Sequence, residues 1–111
     1  MEYKVIVIDD DLDFLEILKG YLLNSGFQNI RTEDNPLNAA SLIEQGEDFD
    51  IALIDMTMPG IDGLNLLEII KNISPKTECV MVTAVNEARI AVECLKKGAY
   101  DYLVKPVSRE D

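Results

Sequence analysis

Histidine is absent from the 111 residues, and so is tryptophan. Without an imidazole the chain builds neither a Ser-His-Asp nor a Cys-His arrangement, offers no histidine-ligated zinc site and forms no phosphohistidine of its own. Cysteine is nearly missing too. Cys79 and Cys94 stand alone, in no metal-ligand spacing and behind no secretory leader, which reads as two small buried or half-buried residues of a reduced, cytoplasmic protein. No apolar run reaches the ~18 residues a membrane span requires. Basic residues are sparse: ten Lys and Arg against 21 Asp and Glu leave a formal charge of −11. That balance argues against direct nucleic-acid binding and favours cations and basic partner faces. Chemistry is thereby confined to carboxylates, hydroxyls and lysine.

What remains is a foldable chain. Hydrophobic residues make up 48% of it, enough for a real core despite the charge. A single domain of this length buries roughly two-thirds of the surface its unfolded chain exposes. Five short segments rich in Val, Ile and Leu recur: Tyr3 to Ile8, Asn29 to Thr32, Asp50 to Ile54, Glu78 to Val82 and Tyr100 to Val104. The first, third and fourth are nearly continuous hydrophobics, as strands covered on both faces are. Helical patterns lie between them, so a parallel sheet with crossover helices is expected, an α/β fold.

The helices carry their own punctuation. The first follows Asp11, with Leu12, Leu15, Leu18 and Leu22 on one stripe and Gly26 as its stop. Asn35-Pro36 opens the second, which runs to about Gly46. A turn-rich loop, Met58 to Gly63, precedes a third helix over Leu64 to Ile73, and a fourth runs from near Asn86 to Gly98. Ser108-Arg-Glu-Asp111 has capping-box spacing, the signal for a helix about to begin, so the natural protein is expected to continue beyond residue 111.

Ligands of open α/β sheets gather at the carboxyl ends of the strands. Asp9 and Asp10 follow the first strand, Asp55 the third, Thr83 the fourth and Lys105 the fifth. The acidic triplet Asp9 to Asp11 is costly in isolation, since two like charges ~4 Å apart near a surface repel by about 4 kcal/mol. Taken alone it also fits a solvated helix N-terminus, where the dipole welcomes negative charge. Convergence with Asp55 suits Mg²⁺, a hard cation held by one or two carboxylates plus phosphate oxygens. Asp55 then serves as a nucleophile that forms an acyl phosphate, while the Thr83 hydroxyl and the Lys105 ammonium receive the other phosphoryl oxygens.

The stretches V-I-V-I-D-D-D, A-L-I-D-M-T-M-P-G-I-D-G, V-M-V-T-A and G-A-Y-D-Y-L-V-K-P resemble the signatures of the response-regulator receiver domain of two-component signalling, the CheY-like superfamily, over essentially the whole chain. The resemblance implies a flavodoxin-like doubly wound sheet of strand order 2-1-3-4-5 with its final helix truncated. It implies that Asp55 is the phosphoacceptor and that Asp10, Asp55 and the backbone carbonyl of Thr57 ligate Mg²⁺, with Asp9 acting mainly through a metal-bound water. Asp11 falls outside the family's acidic pair and reads as a helix cap. Thr83 would bond the phosphoryl group, Lys105 would pair with it, and the peptide between Lys105 and Pro106 would be cis. Tyr102 matches the aromatic switch that responds to Thr83; a plain amphipathic strand residue is the alternative. Thr57 and Val85 fill the two positions that influence how fast the acyl phosphate is lost.

The implied function is a phospho-switch that also assists its own phosphorylation and dephosphorylation. The donor is a sensor histidine kinase or phosphotransfer protein, and the surface around the fourth helix and fifth strand responds. A downstream transcription-regulatory domain and a phosphorylation-dependent dimer are further partners the resemblance offers. Two alternatives stand beside it. A haloacid-dehalogenase-type phosphohydrolase needs a second aspartate two residues after the nucleophile, where this chain has Thr57. A phosphorylation-independent interaction module normally loses an acid or the lysine, and both are kept.

Overall fold

The computed structural model describes residues 2–105. Five strands and four helices alternate: β1 Lys4–Ile8, α1 Leu12–Asn24, β2 Asn29–Glu33, α2 Pro36–Glu44, β3 Ile51–Ile54, α3 Gly63–Ile73, β4 Glu78–Thr83, α4 Ala88–Lys96 and β5 Asp101–Val104. All strand pairs are parallel and the order is β2-β1-β3-β4-β5, as the resemblance implied. The segments read from hydrophobic runs match the strands to within a residue at either end.

Alternation along β1 divides the core in two. Ile6 and Ile8 pack with Ala39, Ile43, Ile54, Leu66, Leu67, Ile70 and Met81 beneath α2 and α3, whereas Val5 and Val7 face Leu15 and Leu18 of α1. A β-strand sends successive side chains to opposite faces, so a strand buried on both sides must be apolar throughout. The edge strands differ for the same reason. Residues of β2 and β5 are mostly half-buried or exposed, and Leu103 on β5 is 42% exposed.

Helix ends follow the sequence signals in most cases. Asp11, Asn35 and Asp62 cap α1, α2 and α3, their side chains accepting from the backbone N–H of Phe14, Leu37 and Asn65. Past the C-terminal end of α1, Gly26 takes φ +101°, a conformation that only glycine adopts without strain. Glu87 precedes α4 with no side-chain cap bond, and the helix starts two residues later than Asn86.

One expectation is corrected. The apolar stripe of α1 includes Leu12, yet this residue is 62% exposed while Leu15 and Leu18 are buried. It is the first residue of α1, in the turn that follows the carboxyl end of β1. Cys79 and Cys94 are both buried and free, as expected, and burial pushes the Cys79 thiol up to about 12. The capping box at Ser108 to Asp111 and the peptide joining Lys105 to Pro106 lie outside the described residues.

Candidate functional site: an acidic pocket at the carboxyl edge

Sheet hydrogen bonding runs one residue past several strand ends, and this places the chemistry. Asp9 N–H donates to the Glu33 carbonyl at 3.1 Å, Asp55 N–H to Ile8 at 3.1 Å and Lys105 N–H to Thr83 at 2.8 Å. The first residues after β1, β3 and β5 are thus still held in the ladder while their side chains leave the apolar core. Four polar or charged side chains are buried among the described residues, and three of them, Asp9, Asp55 and Thr83, stand at this edge. A fold that tolerates so few buried polar groups has concentrated them in one place.

One carboxylate oxygen from each of Asp9, Asp10 and Asp55 lies within 4.8 Å of the other two. Asp9 and Asp55 are buried and Asp10 is exposed at the rim. Lys105 reaches into this cluster: its Nζ donates to Asp9 Oδ2 at 2.6 Å and stands 3.8 Å from Asp55 Oδ2. The other Asp9 oxygen accepts the Asp11 N–H at 2.9 Å. Burial nevertheless raises the Asp9 carboxyl above its ordinary 3.8, against the opposing pull of the Lys105 and Asp11 hydrogen bonds; the Asp55 charge adds to the rise. One ammonium therefore answers three carboxylates, and an oxygen-rich set with excess negative charge fits a hard divalent cation such as Mg²⁺.

Thr83 is fully buried at the end of β4, and its Oγ1 accepts the Val85 N–H at 3.3 Å. Tyr102 is half-buried against the main core and donates its hydroxyl to the Val85 carbonyl at 2.6 Å. Burial raises the Tyr102 phenol, with smaller contributions from Cys94, Glu87 and Asp55. Thr83 and Tyr102 thus hold the two backbone groups of a single residue. Thr57 is exposed two residues past Asp55, and Asp11 caps α1 as read from the sequence.

Three features went unread in the sequence. Phe14 lies with its ring centroid 4.2 Å from Lys105 Nζ. Lys105 bonds primarily to Asp9 and not to Asp55. Gly63, at the start of α3, approaches the Asp55–Met56 backbone so closely that a Cβ there would stand 2.6 Å from Met56 Cα and closer still to the Asp55 carbonyl oxygen. The glycine was legible as part of a turn, but nothing local announces what it touches.

A sequence profile described as the response regulator receiver domain matches residues 5–111. This chain belongs to that family. Among curated relatives, the receiver is 36% identical over 104 residues to the response regulator protein PilR of Pseudomonas aeruginosa, covering 94% of this chain and 23% of that protein. It is 31% identical over 103 residues to the chemotaxis protein CheY of Listeria monocytogenes, covering 93% and 86% of the two chains. It is 34% identical over 106 residues to a cyclic di-GMP phosphodiesterase of Thermotoga maritima, covering 96% of this chain and 28% of that protein. The receiver therefore spans about a quarter of the length of PilR and the phosphodiesterase, and most of CheY. Among solved structures, the CheX-CheY-BeF3-Mg²⁺ complex of Borrelia burgdorferi matches with a TM-score of 0.89 at 28% identity, covering 97% of this chain and 81% of that one. No helix among the described residues is long and apolar enough to cross a membrane.

Proposed function

We propose that this receiver takes a phosphoryl group onto Asp55 from the phosphohistidine of a sensor kinase or phosphotransfer protein. The observation that carries the proposal is the convergence of Asp9, Asp10 and Asp55 within 4.8 Å, with the Lys105 ammonium 3.8 Å from Asp55. An Asp55 carboxylate oxygen forms the new bond to phosphorus as the bond from phosphorus to the donor's imidazole nitrogen breaks, the electron pair leaving with that nitrogen. Lys105 stands ready to pair with a phosphoryl oxygen, and the Thr83 hydroxyl, at the end of the neighbouring strand, to bond another.

Asp10, Asp55 and the Thr57 carbonyl are the proposed Mg²⁺ ligands, with Asp9 beside them. When bound, the ion supplies positive charge that screens the carboxylates and offsets charge developing on the transferring group. Attack of water on the same phosphorus, releasing phosphate, returns Asp55 to its carboxylate, so the domain assists both directions of its own switching.

The output side rests on Val85. Its N–H is held by Thr83 and its carbonyl by Tyr102, so a Thr83 hydroxyl drawn to the phosphoryl group frees one end of Val85 and loosens the other. Tyr102 is then released to rearrange, and the surface of α4 and β5 changes with it. We propose that an output domain or partner, such as a transcription-regulatory domain, reads that surface.

The test is labelling by acetyl phosphate or a cognate kinase with Mg²⁺ present. Asp55→Asn is expected to take no label while keeping the wild-type fold, read from its circular dichroism spectrum and a cooperative melt. Full labelling of the variant removes Asp55 from the assignment and moves the phosphoacceptor to another side chain, whereas a wild-type protein that takes no label leaves a phosphorylation-independent interaction module as the better reading.

A further inference from the structure

Lys105 enters the pocket from β5 under an unusual constraint. Its side chain is 17% exposed, it holds Asp9 at 2.6 Å, and one ring face of Phe14 lies 4.2 Å from its Nζ. Phe14 is fixed from two sides: its backbone N–H is bonded by the Asp11 cap, and it packs against the cluster of Val5, Val7, Leu15 and Leu18. The ring is half-buried and braced by that cluster. Lysine is a flexible four-carbon stem ending in a strongly hydrated point charge, which is free to swing toward water unless something holds it. The negative face of an aromatic ring attracts that charge, and more strongly where water is excluded.

We propose that Phe14 is a positioning residue for phosphoryl transfer: its ring face retains the Lys105 ammonium beside Asp9 and Asp55. The inference rests on the reading of Asp55 as phosphoacceptor. With the ring behind it and carboxylates ahead, the ammonium moves from Asp9 toward a phosphoryl group on Asp55 without first leaving for solvent. An aliphatic side chain of similar bulk fills the space but exerts no such pull.

Replacing Phe14 by phenylalanines carrying one, two and three ring fluorines withdraws charge from the ring face while nearly preserving shape. The initial rate of labelling by acetyl phosphate with Mg²⁺ is expected to fall stepwise, by about three- to tenfold across the series. Phe14→Leu is expected to match the trifluorinated protein, with melting temperatures unchanged along the fluorinated series. The same substitutions in a Lys105→Met background are expected to change nothing. Independently of labelling, the Lys105 Cε methylene protons, carried one bond from the Nζ that stands 4.2 Å from the ring centroid, are expected upfield of their positions in Phe14→Leu. Flat rates across the fluorine series, an equal decline without Lys105, or methylene resonances unmoved by Phe14→Leu overturn the proposal. A wild-type protein that takes no label under these conditions overturns the phosphoacceptor reading itself, and this inference falls with it.

Discussion

Asp9 carries the clearest electrostatic signature of the pocket. Burial holds its carboxyl above the ordinary 3.8, and Lys105 offsets only part of that penalty. The sign follows from linkage: a group that binds its proton more tightly when folded contributes stability that is complete below its unfolded pKa and lost as pH rises through the folded one. The metal-free protein is thus expected to lose stability relative to Asp9→Asn as pH climbs from the ordinary 3.8 through the raised value. Melting temperatures of the two proteins compared across that window check this, and a constant difference contradicts it. That Asp9, Asp10, Asp55, Thr83 and Lys105 gather was legible because each follows an apolar run of recognisable strand character. Which carboxylate Lys105 holds was not, because distance through the fold, and not sequence order, decides it.

The close contact between α3 and the end of β3 turns one glycine into a structural requirement. Gly63 N–H donates to the Met56 carbonyl at 2.8 Å, and a Cβ at this position would collide with the backbone of Asp55 and Met56, which has no flexible end to yield. Gly63→Ala is expected to cost about 1–3 kcal/mol, read from denaturant unfolding, and to slow labelling because the loop that carries Asp55 must shift. Unchanged stability and labelling would show that α3 moves aside freely. Strand and helix limits were legible from hydrophobic runs, caps and glycines. Leu12 shows where that logic stops: periodicity assigns a face to a helix position but does not say whether the neighbouring layer extends far enough to cover it. Phe14 is the converse case, a stripe-side aromatic whose partner arrives from a strand 91 residues later, beyond the reach of any local pattern.

Over the whole chain the charge of −11 is carried without relief from histidine and with few basic residues, so the crowded acids at the carboxyl edge add to a general self-repulsion. A cation that binds only the folded state stabilises it by mass action; at a hundred times its dissociation constant it adds about 2.7 kcal/mol. Mg²⁺ is accordingly expected to raise the melting temperature in a saturable way. Asp10→Asn is expected to raise it without the ion, by relieving repulsion, and to abolish the response to Mg²⁺. A variant that melts lower than the wild type in chelator, or that keeps the full response, contradicts the assignment of Asp10.

The most direct measurement is a crystal structure of the protein with Mg²⁺ and beryllofluoride, a mimic of the acyl phosphate. Beryllofluoride is expected on an Asp55 oxygen, with Thr83 Oγ1 and Lys105 Nζ on its fluorines and the cation held by Asp10, Asp55 and the Thr57 carbonyl. Saturating ligand that leaves Asp55 bare, or that binds through another carboxylate, would contradict the pocket described here.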